Sequence, residues 1–429
     1  MAYHICGEKP LTGEISVQGS KNGALPLLAA SLLIQGKTIL KGCPDISDVR
    51  AMLALLRLQG CEVTQDGKDI IIDATKVIPG SCPKEFAKAM RSSIMLLGPL
   101  VARCGYAYVS RPGGCQIGKR PIDMHIAALQ AMGARFYEQE DEMRVQAPKL
   151  TSCEIDLPFP SVGVTETVIL AGVLAEGNVY LQGAATEPEI TQLCDFLIKA
   201  GAKMEGIGTR RLLIYGNSCL HEAEYVVAGD RIVAGTYLLG AVATRGHIRV
   251  SHIKPYELGK LLEVLGKMGC SIQTMNQSIE IDAKNAGCSI PYIKTEVFPG
   301  FPTDLQSMLA VCLTTAEGNS VIEETIFEDR FKIVADLWKM GAQITVDGNR
   351  MMIRHTDALT GACVEAQDLR GGAALILAGL MAKGETIVSG RHYIERGYED
   401  IARDFRMLGA DIEEISPRSA IEAACTERG

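Results

Sequence analysis

The stretch Val233-Ala-Gly-Thr-Tyr-Leu-Leu-Gly-Ala-Val-Ala-Thr-Arg-Gly246 is apolar on nearly every face of a helix and closes on glycine. A helix with one apolar stripe covers a core, whereas a helix apolar all round lies inside it. Five further stretches repeat the pattern: Leu25–Gly36, Ser93–Gly105, Val168–Gly177, Leu305–Gly318 and Ala373–Gly384. Each leads to a short strand and then to a second helix that alternates apolar and charged residues, such as Asp123–Met132 and Glu189–Ala200. These second helices close at Gly60, Gly133, Gly201, Gly269, Gly341 and Gly409, spaced 68 to 73 residues apart. Glycine there supplies the left-handed cap on which helices commonly end. The period exceeds the roughly 20–50 residues of a solenoid, so each copy reads as a small α/β subdomain.

Six copies divide into three and three, and 429 residues are more than one core usually supports. The expected fold is α/β: two inside-out α/β barrel domains, each of three βαβαββ-like repeats with buried helices and outer sheets, separated by a cleft. Residues 21–228 would form the N-terminal domain, with repeats one to three. Residues 1–20 carry the strand-like Ile15-Ser-Val17 but no helix of their own, and would join 229–415 in a discontinuous C-terminal domain of repeats four to six. Residues 416–429 read as a tail. Gly19-Ser20-Lys21 and Ala228-Gly229-Asp230 are the expected hinges, where repeats one and four begin.

Apolar residues make up 47% and charged residues 22%, the ordinary globular range. With 43 Lys+Arg against 51 Asp+Glu the net charge is -8, which argues against holding nucleic acid or an anionic membrane by bulk charge. An anionic ligand would need a local cluster of cations. The N-terminus lacks the basic and apolar segments of a signal peptide and no run of eighteen apolar residues follows, so a cytoplasmic protein is expected. None of the 14 cysteines forms a CxxC pair and none of the seven histidines an HxxxH or HExxH motif, so neither a metal nor a cofactor is expected.

Charged and amide residues recur just before the buried helices: Lys21-Asn22, Arg91, Asp230-Arg231, Asp304, and Asp368 with Arg370. A second set precedes the amphipathic helices: Asp48, Arg120 with Asp123, Glu189, Glu257, Asp329-Arg330, and Arg396 with Glu399. Asp48, Asp123, Glu189 and Asp400 fit helix caps. Lys21, Arg91, Arg120, Arg330, Arg370 and Arg396 oppose the helix dipole, and a ligand anion is the expected compensation.

The loop Arg111-Pro-Gly-Gly-Cys-Gln-Ile-Gly-Lys-Arg-Pro121 sets a lone thiol among glycines and cations. Arg111, Lys119 and Arg120 would favour the Cys115 thiolate, although composition alone also allows a bystander thiol. Gly113 to Lys119 mimics a phosphate-binding P-loop, but Arg120 stands where Ser or Thr would hold Mg²⁺, which argues against a nucleotide hydrolase.

Six segments carry a family likeness: Gly19-Ser-Lys-Asn-Gly-Ala-Leu-Pro26, the Cys115 loop, Phe301-Pro-Thr-Asp304, Glu328-Asp-Arg-Phe331, Asp368-Leu-Arg370 and Glu395-Arg-Gly-Tyr398. From about residue 3 to residue 415 the chain resembles the enolpyruvyl transferases, on the branch whose acceptor is UDP-N-acetylglucosamine. The resemblance implies two inside-out α/β domains and transfer of enolpyruvyl from phosphoenolpyruvate to the sugar 3-hydroxyl. Phosphate would leave through a tetrahedral intermediate, in the first committed step of peptidoglycan precursor synthesis. A cytoplasmic monomer acting on small molecules is the expectation. Cys115 would then protonate the enolpyruvyl methylene and could form a covalent adduct, and Asp304 would serve as base. Lys21, Arg120 and Arg396 would grip the phosphate, while Arg330 and Arg370 help hold the pyruvyl carboxylate. Substrate contacts would come from Asn22, Arg91, Arg120, Pro121, Ile122, Asp123, Met124, Ser161, Val162, Gly163, Asp304, Ile326, Phe327, Arg330, Asp368 and Arg370. Leu157–Gly163 departs from some relatives in having no lysine before Ser161. The nearest rival is the branch that uses shikimate 3-phosphate, which lacks the cysteine loop. A silent repeat scaffold, the rival from another class, would leave the cations before the helices unexplained.

Overall fold

Arg231–Thr244 is buried at every residue, as its apolar circumference requires. The computed structural model describes residues 1–79, 91–110, 122–138 and 142–416. Two strands come first, β1 (Ala2–Cys6) and β2 (Thr12–Ser16). Repeat one follows as α1 (Lys21–Ala30), β3 (Lys37–Lys41), α2 (Ser47–Leu58), β4 (Glu62–Asp66) and β5 (Asp69–Asp73). Repeat two holds α3 (Leu97–Cys104), β6 (Tyr106–Ser110), α4 (Asp123–Ala131), β7 (Arg135–Glu138) and β8 (Glu142–Gln146). After β9 (Thr151–Asp156), repeat three runs α5 (Val162–Gly172), β10 (Glu176–Gln182), α6 (Pro188–Lys199), β11 (Lys203–Glu205) and β12 (Arg211–Tyr215). After β13 (Ala223–Val226), repeat four runs α7 (Arg231–Thr244), β14 (His247–Ser251), α8 (Gly259–Lys267), β15 (Ser271–Met275) and β16 (Ser278–Asp282). Next, β17 (Ile293–Lys294) precedes repeat five: α9 (Thr303–Thr314), β18 (Ser320–Glu323), α10 (Val334–Lys339), β19 (Gln343–Asp347) and β20 (Arg350–Arg354). Last, β21 (Cys363–Glu365) precedes repeat six: α11 (Leu369–Met381), β22 (Glu385–Ser389), α12 (Arg391–Ile394), α13 (Ile401–Met407) and β23 (Asp411–Ile415).

The described strands group into six separate sheets: β13-β3-β5-β4, β6-β8-β7, β11-β12-β10-β9, β15-β16-β14-β2, β17-β18-β20-β19 and β21-β22-β1-β23. In five of them the strand after a buried helix pairs in parallel with a strand leading into a buried helix, as β14 does with β2 (Val250 opposite Ile15). A parallel pair needs a long crossover, and here the crossover carries the buried helix. The amino-terminal strands join late repeats, β2 in the sheet of repeat four and β1 between β22 and β23 of repeat six.

The described chain clusters into two compact units, one spanning Gly19–Ala228 and the other Met1–Gln18 with the chain from Gly229 onward. Each has its own apolar core. In the second unit α7, α9 and α11 pack on one another inside the outer strands. Each Leu, Ile or Val they bury contributes about 1.5–3 kcal/mol. Gly235 of α7 permits that close packing, since a Cβ there would meet Leu305 Cδ1 at 2.5 Å. Among the described residues no helix is long and apolar enough to cross a membrane.

All six closing glycines take positive φ, from 88° at Gly60 to 109° at Gly201. Helix α7 differs from its counterparts. Arg245 takes the left-handed cap at φ 54°, and Gly246 serves instead for a close approach, since a Cβ there would meet the Leu11 carbonyl oxygen at 2.3 Å. Repeat two also departs from the expected continuous helix Ser93–Gly105. A 3-10 turn over Arg91–Leu96 precedes α3, which places Pro99 in the first α-helical turn, where its missing N–H breaks no bond.

Candidate active site

Asp304 lies in the first turn of α9, and Arg330 of the same repeat and Arg370 of repeat six both reach it. Arg330 Nη2 donates to Asp304 Oδ1 at 2.7 Å and Arg370 Nη2 donates to Oδ2 at 3.0 Å. Both arginine side chains are nearly inaccessible, at 4% and 6% exposure, while Asp304 keeps 24%. Burial by itself would raise the Asp304 carboxyl, but Arg370 and Arg330 override it and hold the group well below the usual carboxylate range. Burial likewise opposes the charge of Arg370, and Asp304 more than restores it. Asp368 caps α11, its Oδ1 accepting from the backbone N–H groups of Arg370 and Gly371, and sits 4.0 Å from Arg330 Nη1.

Three residues absent from the sequence-based reading hold this cluster in place. Glu324 is buried, and its Oε1 accepts from Thr295 Oγ1 and from the backbone N–H groups of Ile326 and Phe327. Its Oε2 accepts from Thr303 Oγ1, beside Asp304, so one carboxylate ties the 324–327 turn to the start of α9. The Phe327 ring then lies 4.9 Å from the Arg330 guanidinium carbon, within cation–π range. Gln18 donates to the Gly397 carbonyl and accepts from Glu399 N, which pins the segment between Arg396 and α13. Thr236 lies 2.7 Å from the buried Tyr398 hydroxyl, whose pKa is raised by burial against the pull of Arg370.

In the other unit Ser20 caps α1 by accepting from Gly23 N, and Lys21 opens the helix. Lys21 Nζ meets Asp48 Oδ2 at 2.9 Å with both side chains largely buried. The expectation that Asp48 caps a helix is therefore corrected: α2 has no side-chain cap, and Asp48 serves as counter-charge to Lys21. Asp123 and Glu189 also make no cap, lying instead within the first turns of α4 and α6. Asp400 does cap α13, accepting from Arg403 N. Asn22 follows Lys21 in α1 and is partly buried.

The starts of α4 and α5 adjoin. A Cβ on Gly163 would meet the His125 ring at 3.3 Å, and His125 Nδ1 lies 2.9 Å from Thr167 Oγ1. Ile122, Asp123 and Met124 are thereby brought beside Ser161, Val162 and Gly163, with the Ser161 hydroxyl capping α5 through Val164 N. Two helix N-termini meeting in this way favour an anion between them. His125 was missed from sequence, and its place beside Asp123 and Met124 was the available signal. Cys115, Arg120 and Pro121 lie outside the described residues. So does the side chain of Arg91, whose backbone opens the 3-10 turn before α3.

The cations thus differ from expectation in one respect. At Lys21, Arg330 and Arg370 a carboxylate of the protein itself answers the charge for which a ligand anion was expected.

Comparison with known proteins places this geometry. The model of the EPSP synthase (3-phosphoshikimate 1-carboxyvinyltransferase) family matches residues 5–405. UDP-N-acetylglucosamine 1-carboxyvinyltransferase 2 of Caldanaerobacter subterraneus subsp. tengcongensis is 43% identical over 413 residues, covering 96% of this chain and 99% of its own. The UDP-N-acetylglucosamine 1-carboxyvinyltransferase of Corynebacterium jeikeium is 41% identical over 414 residues, with the same coverage. Among solved structures, the enolpyruvyl transferase NikO from Streptomyces tendae matches with a TM-score of 0.86 at 24% identity, covering 96% of this chain and 98% of that one. EPSP synthase from Acinetobacter baumannii matches with a TM-score of 0.74 at 21% identity, covering 96% and 99%. At such identities the two structures speak for the fold alone. A family match over residues 5–405, joined to relatives above 40% identity along nearly the whole chain, shows that this protein belongs to the EPSP synthase family of enolpyruvyl transferases.

Proposed function

We propose that this protein transfers the enolpyruvyl group of phosphoenolpyruvate to the 3-hydroxyl of UDP-N-acetylglucosamine and releases phosphate, the first committed step of peptidoglycan precursor synthesis. The observation that carries the reading is the relatives' shared name for that acceptor, at 41–43% identity across almost full length. The protein acts in the cytoplasm as a monomer on these two small molecules.

In the addition step the sugar oxygen bonds to C2 of phosphoenolpyruvate. Asp304 takes the hydroxyl proton and the Cys115 thiol protonates the C3 methylene, so the alkene electron pair becomes the new C–H bond. In the elimination C3 returns a proton, the C2–C3 double bond re-forms and the C2–O bond to phosphate breaks. Lys21, Arg120 and Arg396 neutralise the phosphate, and Arg330 and Arg370 take the carboxylate. The UDP-sugar contacts are Asn22, Arg91, Arg120 to Met124, Ser161 to Gly163, Ile326, Phe327 and Asp368. The starts of α4 and α5 lie side by side, and the partial positive charge of two helix N-termini suits the diphosphate.

The clamp on Asp304 supports a base that is switched on by substrate. A carboxylate gripped by two guanidiniums is weakly basic, and an arriving phosphate or carboxylate competes for the same arginines. Cys115 is tuned in the opposite sense: cationic neighbours favour its thiolate, and the substrate's negative charge restores the acid.

Phosphate release from phosphoenolpyruvate is the test, with UDP-N-acetylglucosamine or with shikimate 3-phosphate as acceptor. Release only with the second would overturn the proposed acceptor in favour of the one in the family model's description. Cys115→Ser should lose covalent labelling by an epoxide or by phosphoenolpyruvate, and labelling that persists removes Cys115 from the acid role.

A further inference from the structure

The solvent face of the sheet β21-β22-β1-β23 gathers a donor set that belongs to none of the steps above. His4 and Cys6 alternate along β1 and so project from the same face. The antiparallel register sets Glu385 of β22 opposite Cys6, and on the other side Glu413 of β23 opposite His4 and Asp411 opposite Cys6. One ligand atom each from His4, Cys6 and Glu385 lies within 4.8 Å of the other two. His4 Nε2 is 3.0 Å from Glu385 Oε2, and Nδ1 is 3.6 Å from Glu413 Oε1.

We propose that His4, Cys6 and Glu385 bind one borderline divalent transition-metal ion, Zn²⁺ by the nature of the donors, with water in the fourth position. Imidazole nitrogen, thiolate sulfur and carboxylate oxygen are the three ligand types zinc takes. Ligand distances of about 2.0–2.3 Å put tetrahedral donors roughly 3.3–3.7 Å apart, so the widest separation these three can have, 4.8 Å, closes by about 1–1.5 Å. His4 and Cys6 are part-exposed and Glu385 is exposed, which leaves their side chains room to turn inward.

Charge favours a cation here. Glu385, Asp411 and Glu413 surround the pair, and the ammonium at hand is Lys9, 2.6 Å from Asp411. Burial and the same carboxylates hold the Cys6 thiol up, and a bound ion displaces its proton. The ion would link residues 381 positions apart in the chain and brace the amino-terminal strand against repeat six.

Titrating metal-free protein with Co²⁺ reads the site directly. We expect a thiolate-to-cobalt charge-transfer band with tetrahedral visible bands, saturating at one ion per chain and erased by Zn²⁺. Cys6→Ser should abolish the charge-transfer band, and Glu385→Gln and His4→Ala should each weaken binding at least tenfold. Zn²⁺ should raise the Tm of the wild type and leave that of Cys6→Ser unchanged. These substitutions lie on the solvent face, and circular dichroism of each variant checks that it folds. A wild type without the band, or a band of equal strength in folded Cys6→Ser, overturns the proposal.

Discussion

Asp304→Asn isolates the central pair of contacts. The amide keeps the shape of the carboxylate but removes the counter-charge of two guanidiniums that are 4% and 6% exposed. Removing one partner of a buried ion pair costs about 3–5 kcal/mol, and the 24% exposure of Asp304 brings the expected loss nearer 2–3 kcal/mol. Urea unfolding with an unchanged m-value would read that figure. If Asp304 is the base, kcat should fall about 10²–10⁴-fold with a much smaller change in KM. The sign of the pH dependence follows from the lowered pKa. The folded carboxyl is depressed, so its contribution is fully present above the unfolded value of about 3.9 and is lost only as pH falls through the lower folded value. The stability gap between wild type and Asp304→Asn should therefore be level from about pH 5 to pH 8. Inorganic phosphate should raise the Tm of the variant more than that of the wild type, because the freed arginines then have an anion to hold. Near-normal turnover would remove Asp304 as base. A gap that shrinks steadily from pH 8 to pH 5 would refute the electrostatic account.

Glu324→Gln replaces an acceptor of four hydrogen bonds by a group with one donor end, at an expected cost of about 1–3 kcal/mol. An unchanged unfolding midpoint would show that the turn does not need it. Gly341→Ala meets no atom within 4 Å but sits at φ +89°, so backbone strain alone should cost about 1–2 kcal/mol. Gly246→Ala lacks that strain yet drives a Cβ to 2.3 Å from the Leu11 carbonyl oxygen, and should cost more; the reverse order in thermal unfolding would contradict both readings. Burial pushes the Cys43 and Cys194 thiols up to about 12, whereas Cys219 and Cys288 are exposed. A thiol reagent at pH 8 should label the exposed pair promptly and the buried pair only after denaturation. Because their protons are held more tightly in the folded state, Cys43 and Cys194 should also make stability decline as pH rises above about 8.5.

The repeat was legible because its signals are local. Apolar residues all round Val233–Thr244 and a glycine needing positive φ at Gly60, Gly133 and the four later equivalents are properties of a few consecutive residues. The motifs likewise marked Lys21, Asp304, Arg330 and Arg370 as charged residues at helix starts. Their pairing was not legible. Helix-dipole reasoning called for a ligand anion, yet Asp48 answers Lys21, and Asp304 answers Arg330 and Arg370 across 26 and 66 residues of chain. Glu324 and Gln18 carried no local mark, since each acts on backbone groups that only the turn geometry turns toward it.

The sixfold α/β unit, with its buried helix, its outer helix and its left-handed stop, is written in neighbouring residues, because periodicity and backbone preference are local properties. Which charges meet is a matter of the folded chain. Coulombic and hydrogen-bond energies depend on separations of a few ångströms, and packing sets those between residues far apart in the chain, as it does for His4 and Glu385 on one sheet face.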